Sequence, residues 1–392
     1  YEGEGYDRKN LKIPQNQEEL LAEIAETVGK DHIAAISFGG APMDFSFEKN
    51  VGAILHMYLG GQAVGESVAD LISGEVNPSG KLAETIPFSE KDTPAWRYFA
   101  PPNDDVEYRE SIFVGYRYYE TFHVPVKYPF GYGLSYTSFS YSELNVPEVY
   151  SGGKIQIRFK IKNIGKVSGA EIAQLYVCPN ESDVIRSHIE LKGFQKIYLH
   201  PGEEKEVILE LDERSFSVYD VEKKAFSMLS GKYQICIGAS VHDLQLKANI
   251  EVVGNSYFRN ERELFPDYFR EQPHGMEISA EQFYQLLGGE PKHDKEKKRG
   301  EYTVYDSYQD VVNVSMFGKF VRGVVHIGLK IMLRGKSEQD PAFKMVKMGV
   351  EEGNLEGLIA TSGGIATPKL IDMLVYNANK KYLQAFKRLL KK

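Results

Sequence analysis

Apolar positions change their period twice along this chain, and the two changes mark off three stretches. Ahead of Lys127, helical stripes alternate with short apolar runs. Leu20, Ile24 and Val28 form one stripe, with Leu21 and Ala25 beside it. Asn16 with Glu19 three residues on has the pattern of a capping box, and Gly29 supplies the stop. His32–Phe38 and Ala53–Tyr58 are short enough to be buried strands, Gln62–Ile72 reads as a helix, and Leu82–Ile86 reads as a further strand. Strands alternating with helices predict an α/β sandwich with a mostly parallel sheet. Phe113–Glu120 alternates like a strand leading out of this layer.

From Phe139 to Val253 the period falls to two. Ile155, Ile157, Phe159 and Ile161 alternate with Gln156, Arg158 and Lys160. Similar runs follow at Glu171–Cys178, Glu190–Leu199, Lys205–Leu211, Lys232–Ile237 and Leu244–Val252, with turn residues at 163–169 and 200–203. About seven short strands in ~115 residues predict an all-β immunoglobulin- or fibronectin III-like sandwich. Its default role is a scaffold.

Residues 254–392 return to helical spacing. Ser279 with Gln282 predicts a cap ahead of Phe283–Leu287, and helices are expected over Ser307–Leu333, Pro341–Met348 and Pro368–Leu390. Lys292–Arg299 is charge-dense and reads as a solvated linker. Met316, Phe317, Phe320, Val324, Ile327 and Ile331 share one face. A helix–helix core is its default reading, with a partner-binding or membrane-surface face as the alternative. The basic end Lys387–Lys392 reads as a solvated helix end, with weak contact to an anionic surface as the alternative.

Between the first two stretches lies Lys127–Tyr136, with Pro129, Gly131 and Gly133 set among Tyr128, Phe130, Tyr132 and Tyr136. Glycines free the backbone and proline fixes it, so the segment has the make-up of a tight seam between packed layers.

Composition narrows the picture. A chain of 392 residues suggests two or three domains. A net charge of −8 gives no reason to expect nucleic acid. Two cysteines, Cys178 and Cys236, do not make a disulfide framework and read as buried thiols. No run of about 18 apolar residues occurs, so no membrane span is expected. The 9 histidines are scattered, which argues against a metal site. Gly60-Gly61 lacks the Lys-Ser/Thr of a phosphate loop, no Gly-x-Ser-x-Gly elbow occurs, and no cofactor is expected. The lone Trp96 sits in a long polar excursion, residues 88–112, as a pocket lining or an anchor for the loop.

One acidic segment stands out: Glu2-Gly-Glu4-Gly-Tyr-Asp7-Arg8. Glycines on either side of a carboxylate let a loop project it into a cleft, where burial raises its pKa and suits it to proton transfer. Without context, an exposed acidic loop is the simpler reading.

The segments GEGYDRKNLKIP (3–14), SFGGAPMDF (37–45), GGQAVGESVADLISGEVNPSGKLAETIP (60–87), FVGYRYYE and KYPFGYGLSYTSF (127–139), in this order, resemble the C-terminal half of glycoside hydrolase family three. The resemblance covers roughly residues 1–253. It implies a truncated second α/β domain over 1–136, a fibronectin III-like domain over 137–254, and a linker with a mainly helical appendage over 255–392. It implies a retaining, exo-acting β-glycosidase, β-glucosidase foremost, acting on terminal sugars of oligosaccharides or glycosides. Glu4 takes the acid/base role, with Glu2 as the alternative and Asp7 and Arg8 bracing the loop. The nucleophile is an Asp on an N-terminal TIM-like barrel, an intramolecular partner with no counterpart in this sequence. The chain therefore reads as a fragment, inactive alone, whose true N-terminus lies upstream. A cytoplasmic location is favoured, with secretion and homo-oligomerisation left open. The rival reading is a non-catalytic carbohydrate-binding or structural module.

Overall fold

The structure is a computed structural model. It describes every residue except 1–7, 9, 100–105, 255–258, 271–274, 291–296, 336, 338, 339, 352, 391 and 392. Asn10–Pro291 form one compact unit, and the helices after residue 292 form another.

The larger unit opens with α1 (Gln15–Val28), β1 (Ala34–Ser37), β2 (Ala53–His56), α2 (Val64–Ser73), β3 (Ile86–Pro87), α3 (Tyr116–Thr121) and β4 (Val126–Tyr128). β1 and β2 run parallel with Ala34 opposite Ala53, whereas β3 and β4 run antiparallel with Ile86 opposite Tyr128. The sheet expected to be mostly parallel is thus two separate two-stranded pieces of opposite sense. The antiparallel pairing continues where the chain returns past Leu82, whose amide donates to the Tyr132 carbonyl at 2.8 Å. Met43, Phe45, Phe47, Val51 and Ile86 form the core of this layer, with Ile13, Leu21, Ile54 and Tyr128 against it.

Two local expectations change. α1 begins after Pro14, whose carbonyl accepts the Gln17 and Glu18 amides, so Asn16 lies inside the first turn and makes no capping box. Proline pre-sets the entry dihedral and takes over the start of the helix. Phe113–Glu120 is not a strand: Gly115 at φ +56° turns the chain into α3. There Tyr118, Tyr119 and Phe122 pack on Phe265, Tyr268, Met276 and Ile278, a spacing that fits a helical face. The predicted stripe of α1 exists but is uncovered, with Leu20, Ile24 and Val28 exposed; neither α1 nor α2 buries any residue.

The β-sandwich follows as β5 (Phe139–Asn145), β6 (Val149–Tyr150), β7 (Ile155–Asn163), β8 (Gly169–Pro179), β9 (Glu190–Leu199), β10 (Glu204–Leu211), β11 (Ser217–Asp220), β12 (Ala225–Met228), β13 (Gly231–Gly238) and β14 (Leu244–Val252). One sheet has the order β10-β7-β5 and the other β6-β14-β13-β8-β9, with β11–β12 as a separate ribbon. The alternating residues Ile157, Phe159 and Ile161 face Leu175, Val177, Ile235 and Ile237 across a closed core. Cys178 and Cys236 are free thiols on neighbouring strands, their sulfurs 3.7 Å apart. The short helices α4 (Glu261–Leu264) and α5 (Ala280–Leu287), grouped with the C-terminal appendage in the sequence reading, belong to this larger unit. Ser279 caps α5 as its position predicts, accepting from the Gln282 amide.

The smaller unit holds α6 (Tyr308–Asn313), α7 (Met316–Met332), α8 (Pro341–Glu351), α9 (Leu355–Thr361), α10 (Pro368–Ala378) and α11 (Tyr382–Leu390). Each of two expected long helices is divided. Ser315 starts α7 by accepting the Gly318 amide at 2.9 Å, and Lys380 at φ +58° separates α10 from α11. Val311, Val312, Val321, Leu355, Ile371 and Leu374 form the core. Among the described residues, no helix is long and apolar enough to cross a membrane.

Candidate functional site

The seam predicted at Lys127–Tyr136 is where the first layer is fastened to the sandwich. Gly131 sits at φ +81°, and a Cβ there would run into the Gln174 side chain. Gln174 Nε2 donates to the Gly131 carbonyl at 3.1 Å and to the Ala239 carbonyl at 2.7 Å, and the Phe130 carbonyl accepts the Val241 amide. Asn77 accepts from the Tyr136 amide and the Ser135 hydroxyl while donating to the Ser168 carbonyl. Lys81 and Glu171 close the joint as a nearly buried ion pair at 3.0 Å.

At the carboxyl ends of the parallel pair, where open α/β layers place their ligands, four polar side chains gather. Ser37 at the end of β1 and His56 at the end of β2 share a 2.8 Å hydrogen bond. The His56 ring meets Phe45 edge-on at 5.3 Å and lies 4.0 Å from Tyr58, so it is held in place by aromatic packing. Glu84 reaches the same place. Burial pushes its carboxyl above the ordinary range, and the neighbouring Tyr58 hydroxyl pulls the other way. Burial and the charge of Glu84 in turn push the Tyr58 phenol up. The loop after β1 is held by Lys127, which donates to the Phe45 carbonyl at 2.9 Å and pairs with Glu48. Tyr128 donates to the same carboxylate at 2.6 Å. This loop also receives the opening segment, since the Asp44 amide donates to the Leu11 carbonyl at 3.0 Å and Ile13 packs in the core.

Glu2, Glu4 and Asp7 lie outside the described residues; the described chain picks up their motif at Arg8 and, beyond residue 9, at Asn10. The structure therefore describes the footing of the predicted acid/base loop and not the loop itself. Sequence reasoning missed Ser37, His56, Tyr58 and Glu84. The only signal for them was the position of the first three at the ends of two apolar runs.

A cleft of about 850 Å³ lies along the 88–112 excursion and is lined by Trp96, Tyr98, Arg109, Asp267, Arg270 and Glu277. The anchor of that excursion is Tyr98, whose hydroxyl donates to the Ile278 carbonyl and accepts the Ile278 amide, with Arg109 over its ring at 4.8 Å. Trp96 lines the cleft and remains 46 % exposed. An exposed indole among charged hydrogen-bonding groups is suited to a sugar ring, which offers an apolar face and a hydroxyl rim. Among the described residues no cluster of His, Cys, Asp and Glu has a metal-binding arrangement.

Comparison with known proteins finds family matches for two stretches of the chain. Residues 1–136 match the glycosyl hydrolase family 3 C-terminal domain, and residues 171–241 match a fibronectin type III-like domain. The chain is 44% identical over 254 residues to the thermostable beta-glucosidase B of Acetivibrio thermocellus, covering 64% of this chain and 33% of that protein. It is 37% identical to an exo-alpha-(1->6)-L-arabinopyranosidase of Bifidobacterium breve over 65% of this chain and 33% of the relative. Among solved structures, the GH3 beta-glucosidase of Bifidobacterium adolescentis superposes with a TM-score of 0.61 at 36% identity, over 65% of this chain and 38% of that one. The beta-glucosidase of Kluyveromyces marxianus in complex with glucose gives 0.60 at 35% identity, over 64% and 30% of the two chains. The chain thus spans about a third of the length of the curated relatives it matches.

Proposed function

We propose, from first and second domains that are those of the C-terminal half of glycoside hydrolase family 3, that this chain supplies the acid/base half of a retaining β-glycosidase site. Its substrate class is the terminal pyranoside of an oligosaccharide or glycoside, with β-glucoside foremost. Two of the relatives carry names for a glucosidase and an arabinopyranosidase, which supports exo-action on terminal pyranosides. Residues 1–136 and 137–254 are taken as its α/β domain and sandwich, and 255–392 as the segment after them, whose α4 and α5 fold with the larger unit.

The observation that carries this reading is the tether at Leu11. It ties the chain that follows Glu4 to the loop at the carboxyl end of β1, beside Ser37, His56, Tyr58 and Glu84. A short, Gly-flanked carboxylate delivered there can protonate a leaving oxygen and then take a proton from the attacking water. Retention needs the nucleophilic carboxylate about 5–5.5 Å away. In this reading that group is an Asp on a TIM-like barrel, which packs against the uncovered faces of α1 and α2. No cofactor and no metal enter the reaction.

The test uses the complete enzyme that contains this chain. Glu4→Ala is expected to lose rate chiefly on substrates with poor leaving groups, and azide is expected to restore turnover on activated ones. A fully active Glu4→Ala enzyme with an inactive Glu2→Ala one moves the role to Glu2. The isolated chain is expected to leave aryl β-glucosides intact, and robust turnover by it overturns the reading.

A second reading, a carbohydrate-binding module, is favoured by the cleft at Trp96 alone. It predicts sugar binding by the isolated chain.

A further inference from the structure

The apolar face of α7, expected to be a helix–helix core, is open. Met316, Phe320, Val324, Ile327 and Ile331 are 55–85% exposed. At 3.6 residues per turn these five fall within about 80° of arc. Phe317, Val321 and Val325, on the adjoining arc, carry the contact with the core of the smaller unit. The helix therefore has two apolar faces, one spent on folding and one left over.

Two basic residues of α7, Lys319 and Lys330, border the spare face. Lys319, Arg322, Lys330 and Arg334 occur between residues 316 and 334 without one acidic residue. The composition recurs at α11: residues 380–392 hold six basic residues and no acidic one, and Leu383, Phe386 and Leu390 are exposed. Residues 292–392 hold 19 basic and 11 acidic residues, whereas residues 1–291 hold 28 and 44. The net charge of −8 therefore hides a basic unit attached to a strongly acidic one.

We propose that the smaller unit docks on an anionic lipid bilayer through the spare apolar face of α7 and its flanking basic side chains. An amphipathic helix with a basic border lies in the interface with its apolar face among the acyl chains. Its 17 residues reach about 25 Å, less than the ~30 Å hydrocarbon core, so α7 lies in the surface and does not span it. Charge selects among the occupants. A second copy seated on this face would set Lys and Arg against Lys and Arg, with no acidic residue on α7 to pair them. Nucleic acid would answer the charge but leave five large apolar side chains in water. An anionic bilayer answers both.

Co-sedimentation of the full chain with vesicles tests this, using phosphatidylcholine alone and phosphatidylcholine with roughly one third phosphatidylglycerol. Partition onto the anionic vesicles is expected to be on the order of tenfold or more the stronger, and to weaken in high salt. The double variant Phe320→Glu/Ile327→Glu changes only exposed positions. It is expected to lose binding while keeping the helical circular-dichroism signal and melting temperature of the parent. Lys319→Glu/Lys330→Glu leaves the apolar face intact and is expected to lose the preference for anionic vesicles. The proposal is overturned when the parent chain stays in the supernatant with anionic vesicles. It is equally overturned when Phe320→Glu/Ile327→Glu binds like the parent, or when that variant only converts a dimer to a monomer in solution.

Discussion

Gln174 and Gly131 lock the first domain to the β-sandwich: the Gln174 amide donates to the Gly131 carbonyl at 3.1 Å, and the glycine leaves no room beside it for a Cβ. Alanine at position 131 would meet both this side chain and an unfavourable φ of +81°. Gly131→Ala is expected to destabilise the larger unit by about 2–3 kcal/mol, read as a lower denaturation midpoint in urea. Adding Gln174→Ala is expected to recover only part of the loss, because the backbone strain stays.

The Lys81–Glu171 pair is 11% and 8% exposed at its two side chains, so each charge depends on the other. Lys81→Met leaves a buried carboxylate without its ion partner and is expected to cost about 3 kcal/mol or more. Lys81→Met/Glu171→Leu, which removes both charges, is expected to fall well short of that. A double-mutant cycle in urea measures the difference.

Glu84 gives the larger unit a pH dependence of definite sign. Its carboxyl titrates above the ordinary 4.5 because burial favours the neutral form. In this window the folded state binds more protons than the unfolded one. The stability contributed by the neutral carboxyl is therefore present at and below the ordinary carboxylate range and is lost as pH rises through the raised value. Glu84→Gln is expected to flatten this slope and to gain relative to the parent on going from about pH 4.5 to neutrality. Urea unfolding at the two ends of the range checks it.

Trp96 is the only tryptophan in the chain, so its emission reports on one cleft. Titration with glucose or cellobiose is expected to shift or quench that emission saturably if the cleft takes sugar. An unchanged spectrum up to tens of millimolar sugar, well above weak-binding affinities, removes the cleft as a binding site.

The fold was legible where the hydrophobic period was unambiguous. Ile155–Ile161 alternate over a full strand, and β7 runs through them. Phe113–Glu120 misled because Tyr116 and Tyr118 fit a period of two, whereas Tyr118, Tyr119 and Phe122 share one helical face, and Gly115 decided for the helix. The α7 stripe was legible as a pattern but not as a surface, because spacing records which residues align and not what stands opposite them. Glu4 is an expectation that rests on its motif alone, whereas Ser37, His56, Tyr58 and Glu84 meet only through the pairing of β1 with β2 and the return of the chain at residue 84. Neither event leaves a mark at short range.

The parallel sheet of the first domain has two members, so each of them has an outer flank whose amide and carbonyl groups lack a neighbouring strand among the described residues. Such a ribbon is a template for any extended peptide that drifts past. As the concentration of the chain rises, these flanks are expected to pair with strands of its own copies, and a polypeptide that caps the ribbon should suppress that association.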